Sequence, residues 1–367
     1  MSRSMSCHGW SQLVLFLLLL FFCGTVALVV FIDPFEIYHR ATNYIPPCEN
    51  GIQNYANAGV ARTWDYDSVV IGSSMTENFV PSQLDALFGG RFVKLSINAG
   101  SPYNHRQMME LAFRTHNIKT VLYCIDADAF TYFYTQPKTE MPDYLYSESI
   151  LDDVSYWFNS SVLFRYLPRC LSGWGQTDPN LRDTMYAWGD LYPYGMEVAL
   201  RDAIIDETKF EQQDMPEPFV MSQQTMLNVE NNIVPFIEGN PETEFLFFFP
   251  PYSLVNWYRF YRSGSLNYHL SQIEAITARL LSYPNVRIYD FRVRTEWILN
   301  LNNYIDDHHY GPWINADMAK DIAEDRCRII SPEETEQNSN LLRFLVSQIV
   351  TVGRWPDTFN LGFRTEP

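Results

Sequence analysis

Positive charge is scarce in this 367-residue chain. Lys and Arg number 26 against 43 Asp and Glu, a formal net charge of −17. Such a balance repels phosphate backbones, so no nucleic acid is expected as a partner. It is compatible with a membrane-attached protein that faces away from anionic head groups. Cysteine is also sparse, at positions 7, 23, 48, 124, 170 and 327. The four beyond the N-terminal segment lack metal-type spacing, so no metal and no cofactor are expected. One disulfide among Cys48, Cys170 and Cys327 stays open, because spacing alone does not pair them, while Cys124 in an apolar run reads as a small buried side chain. There is no internal repeat and no low-complexity tract. The Gly-x-Ser-x-Gly elbow of α/β-hydrolases is absent as well.

Apolar and aromatic residues are abundant, at 47% and 16%. That is enough for one large domain or two small ones. The aromatic density reads first as a well-filled core, and second as a surface that handles sugars or acyl chains. Leu13 to Ile32, "LVLFLLLLFFCGTVALVVFI", carries no charge and would span roughly 30 Å of hydrocarbon as a helix. Bulky residues continue up to Asp33, unlike the short core and small-residue cut of a signal peptide. The segment therefore reads as an uncleaved signal-anchor. Arg3 precedes it, and Asp33 and Glu36 follow, with Arg40 soon after. The positive-inside rule then places the N-terminus in the cytoplasm and the main domain outside. The expected location is the cell membrane, single-pass, with the main domain extracytoplasmic. A soluble secreted lipase, cleaved near residue 32, is the competing arrangement.

Residues 33–64 read as an extended connector. Apolar runs then alternate with helical patterns. "SVVI" (68–71), "FVKLSI" (92–97), "TVLYCI" (120–125), "EFLFFF" (244–249) and "VRIYDF" (286–291) are the candidate strands. "PSQLDALFGG", "YNHRQMMELAFRTHN", "MLNVENNIVPFIEGNP", "LNYHLSQIEAITARLLSYP" and 313–330 are helices between or after them, and "NLLRFLVSQIV" is a final amphipathic stretch. This βαβ alternation predicts an α/β domain with a five-stranded parallel sheet and its functional loops at the carboxyl ends of the strands. Residues of about 130–220, rich in Tyr, Trp, Asp and Pro, read as a helical insertion after strand 3. The expected organisation is a tail and anchor over 1–32, the connector, and one domain over 65–367. Trp157, Trp174 and Trp188 in the insertion read as packing before sugar contacts. The Pro250-Pro251-Tyr252 corner reads as a strand stop, with a pocket wall containing a cis-proline as its alternative. Asn159-Ser160-Ser161 matches a glycosylation sequon, a short pattern that recurs by chance.

The chemistry concentrates in two segments. "YDSVVIGSSMTENF" (66–79) puts Ser73 and Ser74 just after a strand, where exposed N–H groups at the mouth of a helix would favour negative charge. "YIDDHHYGPWIN" puts Asp306 three residues before His309. That spacing can hold imidazole Nδ1 against a carboxylate and leave Nε2 for a serine hydroxyl. Asp307 and His308 are the competitors within the motif, and a metal pair is the other use of tandem histidines. Ser74 with Glu77 also fits a helix-capping pattern.

"IGSSMTEN" resembles block I of the SGNH/GDSL hydrolases, with Ser74 standing at the nucleophile and Ser73 at the usual Asp. "NAGSPYN" is similar to block II, whose glycine, here Gly100, donates its amide to the oxyanion; a plain turn glycine is the alternative. "YIDDHHY" resembles block V, with Asp306 and His309 as acid and base. The resemblance covers roughly residues 66–130 and 240–325. Together with the anchor it is nearest to the membrane-attached SGNH proteins of bacterial surface-polymer acylation, the D-alanylation and alginate O-acetylation types. It implies a flavodoxin-like three-layer sandwich and a Ser74–His309–Asp306 triad with the Ser74 and Gly100 amides as oxyanion donors. The implied activity is that of an esterase or O-acyltransferase on acyl esters of surface polysaccharide or teichoic-type polymers. The implied partners are the membrane, an acylated polymer or acyl donor, and a multi-span membrane acyltransferase. Block III departs: "CIDADAF" puts Asp126 where an asparagine usually donates to the oxyanion, which leaves a protonated Asp126, an Asp126 that contacts substrate or positions a neighbour, or Asn98 or Asn104 as substitute donors. This departure motivates the alternative of a non-catalytic SGNH-shell binding or assembly protein.

Overall fold

The computed structural model describes residues 7–201 and 218–352, together with Trp355 and Phe359. Arg3 of the expected cytoplasmic tail and residues 202–217 of the expected insertion lie outside the described residues. The chain divides into two compact units.

The first unit comprises residues 1–48, 55–64 and 142–179. Its helix α1 (Cys7–Ile32) is long and apolar enough to cross a membrane. The helix ends at Asp33, whose φ of 46° turns the chain into the left-handed region. The Asp33 carboxylate then accepts the amides of Tyr38 at 2.6 Å and His39 at 3.1 Å, and the Tyr156 hydroxyl at 3.0 Å. The tight turn after α1 is thus held by one buried acid that takes three hydrogen bonds on its two oxygens, which is how a buried carboxylate is tolerated. Residues 33–64, expected as an extended connector, contain helix α2 (Gln53–Thr63).

The second unit comprises residues 49–54, 65–141 and 180–367. Its strands are β1 (Ser68–Ile71), β2 (Phe92–Lys94), β3 (Thr120–Cys124), β4 (Glu244–Phe249), β5 (Val286–Asp290) and β6 (Arg328–Ile329). The sheet order is β2-β1-β3-β4-β5-β6. The first five strands pair in parallel, and β6 joins β5 antiparallel. The expected all-parallel sheet of five is therefore a mixed sheet of six. The sixth strand arises because the helix expected over 313–330 stops early, at Pro312–Ala323. Asp325 and Cys327 then adopt φ of 57° and 60°, which ends the helix and sends "RI" back along β5. β1 and β3 are buried along their whole length, as continuous apolar runs in a covered sheet must be.

Between β3 and β4 the described residues form short helices and turns, consistent with the Pro-rich composition of the stretch. The helical stripe expected over 226–237 is a helix, Pro218–Asn228, that widens to a π-turn at Val229–Ile233 and resumes at Val234–Gly239. Pro235, which has no amide to donate, sits just after the widened turn. No disulfide is present among the described residues, and Cys124 and Cys170 are buried.

Gly72 joins β1 to the serine segment, and its carbonyl accepts the Ile97 amide at 2.9 Å. A Cβ there would lie 2.6 Å from Thr76 Cγ2 and 2.9 Å from Cys124 Cβ. Gly72→Ala should therefore destabilise the domain by about 1–3 kcal/mol, the usual range for overpacking. A denaturant midpoint unchanged from the parent chain would show that this junction has slack.

Candidate active site

The sequence after β1 makes a single 3₁₀ turn, Ser74–Thr76, and not the mouth of a longer helix. The next helix, α3, starts only at Pro81. The helix-dipole argument for Ser74 therefore fails, and what remains is the local geometry. Ser73 caps the turn, its hydroxyl accepting the Met75 amide at 3.4 Å. Glu77 does not reach back to Ser74 as a capping box would require. Its carboxylate instead accepts from Gln53 at 2.7 Å and Asn50 at 2.9 Å. No hydrogen bond engages the Ser74 amide among the described residues.

The histidine segment is a tight loop closed by a bridge between Tyr304 and Tyr310. Asp306 organises it. One carboxylate oxygen accepts the amides of His308 at 2.9 Å and His309 at 2.7 Å, and the other accepts His309 Nδ1–H at 2.6 Å. With Nδ1 donating, His309 Nε2 carries the free lone pair, and it lies 2.9 Å from Ser74 Oγ. Partial burial alone would raise the Asp306 carboxyl. The His309 hydrogen bond, the two neighbouring imidazoles and the His309 amide outweigh it and hold the group well below the ordinary carboxylate range. The carboxylate thus stays ionised and fixes the tautomer that can accept the serine proton.

The loop is tied to the serine turn from several sides. The Met75 carbonyl accepts the Asn315 side chain at 2.9 Å and the Tyr310 hydroxyl at 3.3 Å. Trp188 donates its indole N–H to the Ser74 carbonyl at 3.1 Å and packs edge-on against the His309 ring, with centroids 5.3 Å apart. Of the three tryptophans weighed in the sequence, Trp188 alone has a role here, and it is one of support. The Pro250-Pro251 corner, whose peptide bonds are trans, holds the other side. The Pro251 carbonyl accepts the Tyr304 hydroxyl, and Ser253 Oγ donates to the Asp307 carbonyl, both at 2.6 Å.

His308, the competitor, makes a second acid–imidazole pair. Its Nδ1 lies 2.6 Å from Asp307 Oδ1, and Asp307 also takes Arg259 at 2.6 Å. Burial would lower His308, but Asp307 and Asp306 raise it. Asp306, His308 and His309 each bring one ligand atom within 4.8 Å of the others. Asp306 takes the His309 ring and the His308 amide, which by itself draws the three together.

The expected oxyanion groups fare differently. The Gly100 amide donates to the Ile97 carbonyl at 2.8 Å and is engaged. A Cβ on Gly100 would meet that carbonyl at 2.9 Å and His105 Nε2 at 3.1 Å, so its smallness serves a packed turn. The Asn104 side chain caps its own helix, α4 (Pro102–Thr115), accepting from Ser101 and donating to the Thr139 carbonyl at 2.7 Å. Asn98 is exposed and donates to Asn50 at 3.0 Å. Asp126 is an acceptor: it takes the hydroxyls of Ser73 and Tyr252 and, at 3.7 Å, the Cys124 thiol. Burial lifts its carboxyl above the ordinary value, and the two hydroxyls offset only part of that rise. Asp126 thus tethers the residue beside Ser74 to the corner after β4. The sequence pointed to the Pro-Pro-Tyr corner but not to Tyr252 as its active member.

No family model matches the chain, and no curated protein matches it. The candidate site therefore rests on its own geometry. Five features compose it: a hydroxyl, an imidazole, a carboxylate, one unengaged amide and a ring that braces the imidazole.

Glu77, buried behind the serine turn, is lifted by burial to about 7 against the Lys94 charge and its two amide donors. A raised folded-state value means that its contribution to stability is complete below about pH 4.5 and is lost as pH rises through about 7. Glu77→Gln should erase that loss. Melting curves of the two chains should diverge in favour of Glu77→Gln between pH 4.5 and 8, by at most about 3 kcal/mol. Parallel pH profiles would mean that the carboxyl is not desolvated.

Proposed function

We propose that the chain is a membrane-anchored serine esterase or O-acyltransferase of the SGNH type, acting on acyl esters of cell-surface polymers from the extracytoplasmic side. The observation that carries this reading is the continuous relay from Ser74 Oγ to His309 Nε2 and from His309 Nδ1 to Asp306. Supporting it, the five parallel strands run in the order 2-1-3-4-5, the arrangement of flavodoxin-like sheets. Two separate helix groups also fit a three-layer sandwich: α3 packs on Pro312–Ala323, whereas α4 packs on Val229–Ile233.

In this mechanism His309 takes the Ser74 proton as Oγ attacks the ester carbonyl. The Ser74 amide donates to the oxyanion that forms. His309 then returns the proton to the departing alcohol, leaving an acyl-serine. Water or a polymer hydroxyl, deprotonated by the same imidazole, attacks the acyl-serine; the bond to Ser74 Oγ breaks, Oγ takes that proton back from His309, and the acid or the new ester is released. Asp306 keeps the imidazolium oriented and charge-balanced throughout. The anchor would hold the domain beside a multi-span acyltransferase that supplies or accepts the acyl group.

One observation favours a second reading, a non-catalytic SGNH shell that binds or assembles surface-polymer machinery. The Gly100 amide and the substitute donors Asn98 and Asn104 are all committed elsewhere, Asp126 is an acceptor, and each missing donor typically costs about 10²–10³ in rate.

A serine-directed fluorophosphonate distinguishes the two. The full-length protein in detergent should be labelled at Ser74, and Ser74→Ala should lose the label with its melting temperature intact. His309→Ala and Asp306→Asn should each slow labelling and hydrolysis of a simple acetyl ester by about 10³-fold or more. Absence of labelling on a folded parent chain would overturn the enzyme reading in favour of the binding shell.

A further inference from the structure

The stretch 142–179 belongs to the same unit as α1 and does not lie wholly beyond its end. Phe158 stacks on Phe22 with ring centroids 5.2 Å apart, and Trp174 stacks on Phe31 at 6.3 Å. Phe22 lies about 15 Å from the Ile32 end of α1 at the α-helical rise, which is half the thickness of a bilayer's hydrocarbon. A segment that touches Phe22 cannot stay in water if the apolar run from Leu13 to Ile32 is in lipid.

The side chains of this segment sort accordingly. Tyr156, Val162, Tyr166, Leu167 and Cys170 are buried, and Tyr156 and Tyr166 close on Phe35. The opposite side exposes Phe164 at 81%, Leu171 at 45% and Trp174 at 46%. In water such a row would be costly, since large apolar side chains gain free energy on leaving water. The backbone suits lipid as well. A π-turn at Val162–Tyr166 runs directly into the helix Leu167–Ser172, so its polar groups are largely satisfied within the segment. Arg165 and Arg169 are exposed and one helical turn apart, and their long stems let the charged heads reach the phosphate layer.

We infer that residues 158–174 form a second membrane-embedded element, a shoulder that lies against the outer half of α1 and presents Phe164 and Leu171 to phospholipid acyl chains. The anchor is then not a bare helix but a helix with a fixed flank. This gives the unit a defined rotation about the membrane normal, which a single span lacks. The inference rests on α1 being a span.

The test uses the full-length chain in phospholipid nanodiscs, with a photoreactive benzoylphenylalanine placed at one position at a time. Positions 164 and 171 probe the shoulder, position 21 probes the exposed side of α1, and position 110 is an aqueous control on α4. Phospholipid adducts at 21, 164 and 171, and none at 110, are the expected result. Adducts at 21 but not at 164 or 171 would overturn the shoulder and leave the span standing. No adduct at 21 would overturn both. A cross-link from 164 to a second copy of the chain, in place of lipid, would make this face a protein interface and also overturn the proposal.

Discussion

The candidate site depends on one carboxylate. Asp306 accepts two main-chain amides and one imidazole N–H, and it is ionised because those donors outweigh its partial burial. The amides shape the loop and the imidazole bond sets the tautomer, so folding the loop and preparing the base are one event. A carboxylate used only for the ring would leave the ring's position to side-chain entropy. Here the ring position follows from the backbone, and the Trp188 edge closes the remaining freedom.

The neighbouring acids show why charge alone does not define a site. Asp307 pairs with Arg259 and His308, and Asp126 takes two hydroxyls and a thiol. Both are spent on holding elements together. Asp126 joins the residue beside Ser74 to the corner after β4, and Asp307 joins the histidine loop to the helix Leu254–Arg262. An acid at the end of a strand is thus as readily a tether as a reactive group. The difference lies in where the partner leads: His309 presents its second ring nitrogen to Ser74 Oγ, whereas Ser73 and Tyr252 give their only hydroxyl protons to Asp126.

Much of this was legible in the sequence for a physical reason. Buried parallel strands must be apolar on both faces, so "SVVI" and "EFLFFF" mark β1 and β4 to the residue. The Asp-x-x-His spacing is a local geometry, and local geometry survives folding. What stayed hidden depends on contacts across long stretches of chain. Tyr252 and Asp126 meet over a separation of 126 residues, and nothing near either one announces the other. Strand β6 was hidden because it is two residues long and follows a helix whose periodicity runs on past its real end. Gly100 stays ambiguous in the sequence because a glycine in a packed turn and a glycine at an oxyanion site look alike until the Ile97 carbonyl is seen to take its amide.

With no helix behind Ser74, the field that would favour a developing oxyanion comes from few sources, chiefly its own amide and the charge on His309 once protonated. The architecture around it is stiff instead. Gly72 has no room for a methyl group, the Met75 carbonyl is bonded twice, and the Ser74 carbonyl takes the Trp188 indole. A site that stabilises charge with few donors needs each of them fixed, because a donor that must reorient during reaction gives back much of its gain. The tethers through Asp126 and Asp307 follow the same logic: they restrict motion where the number of donors is small.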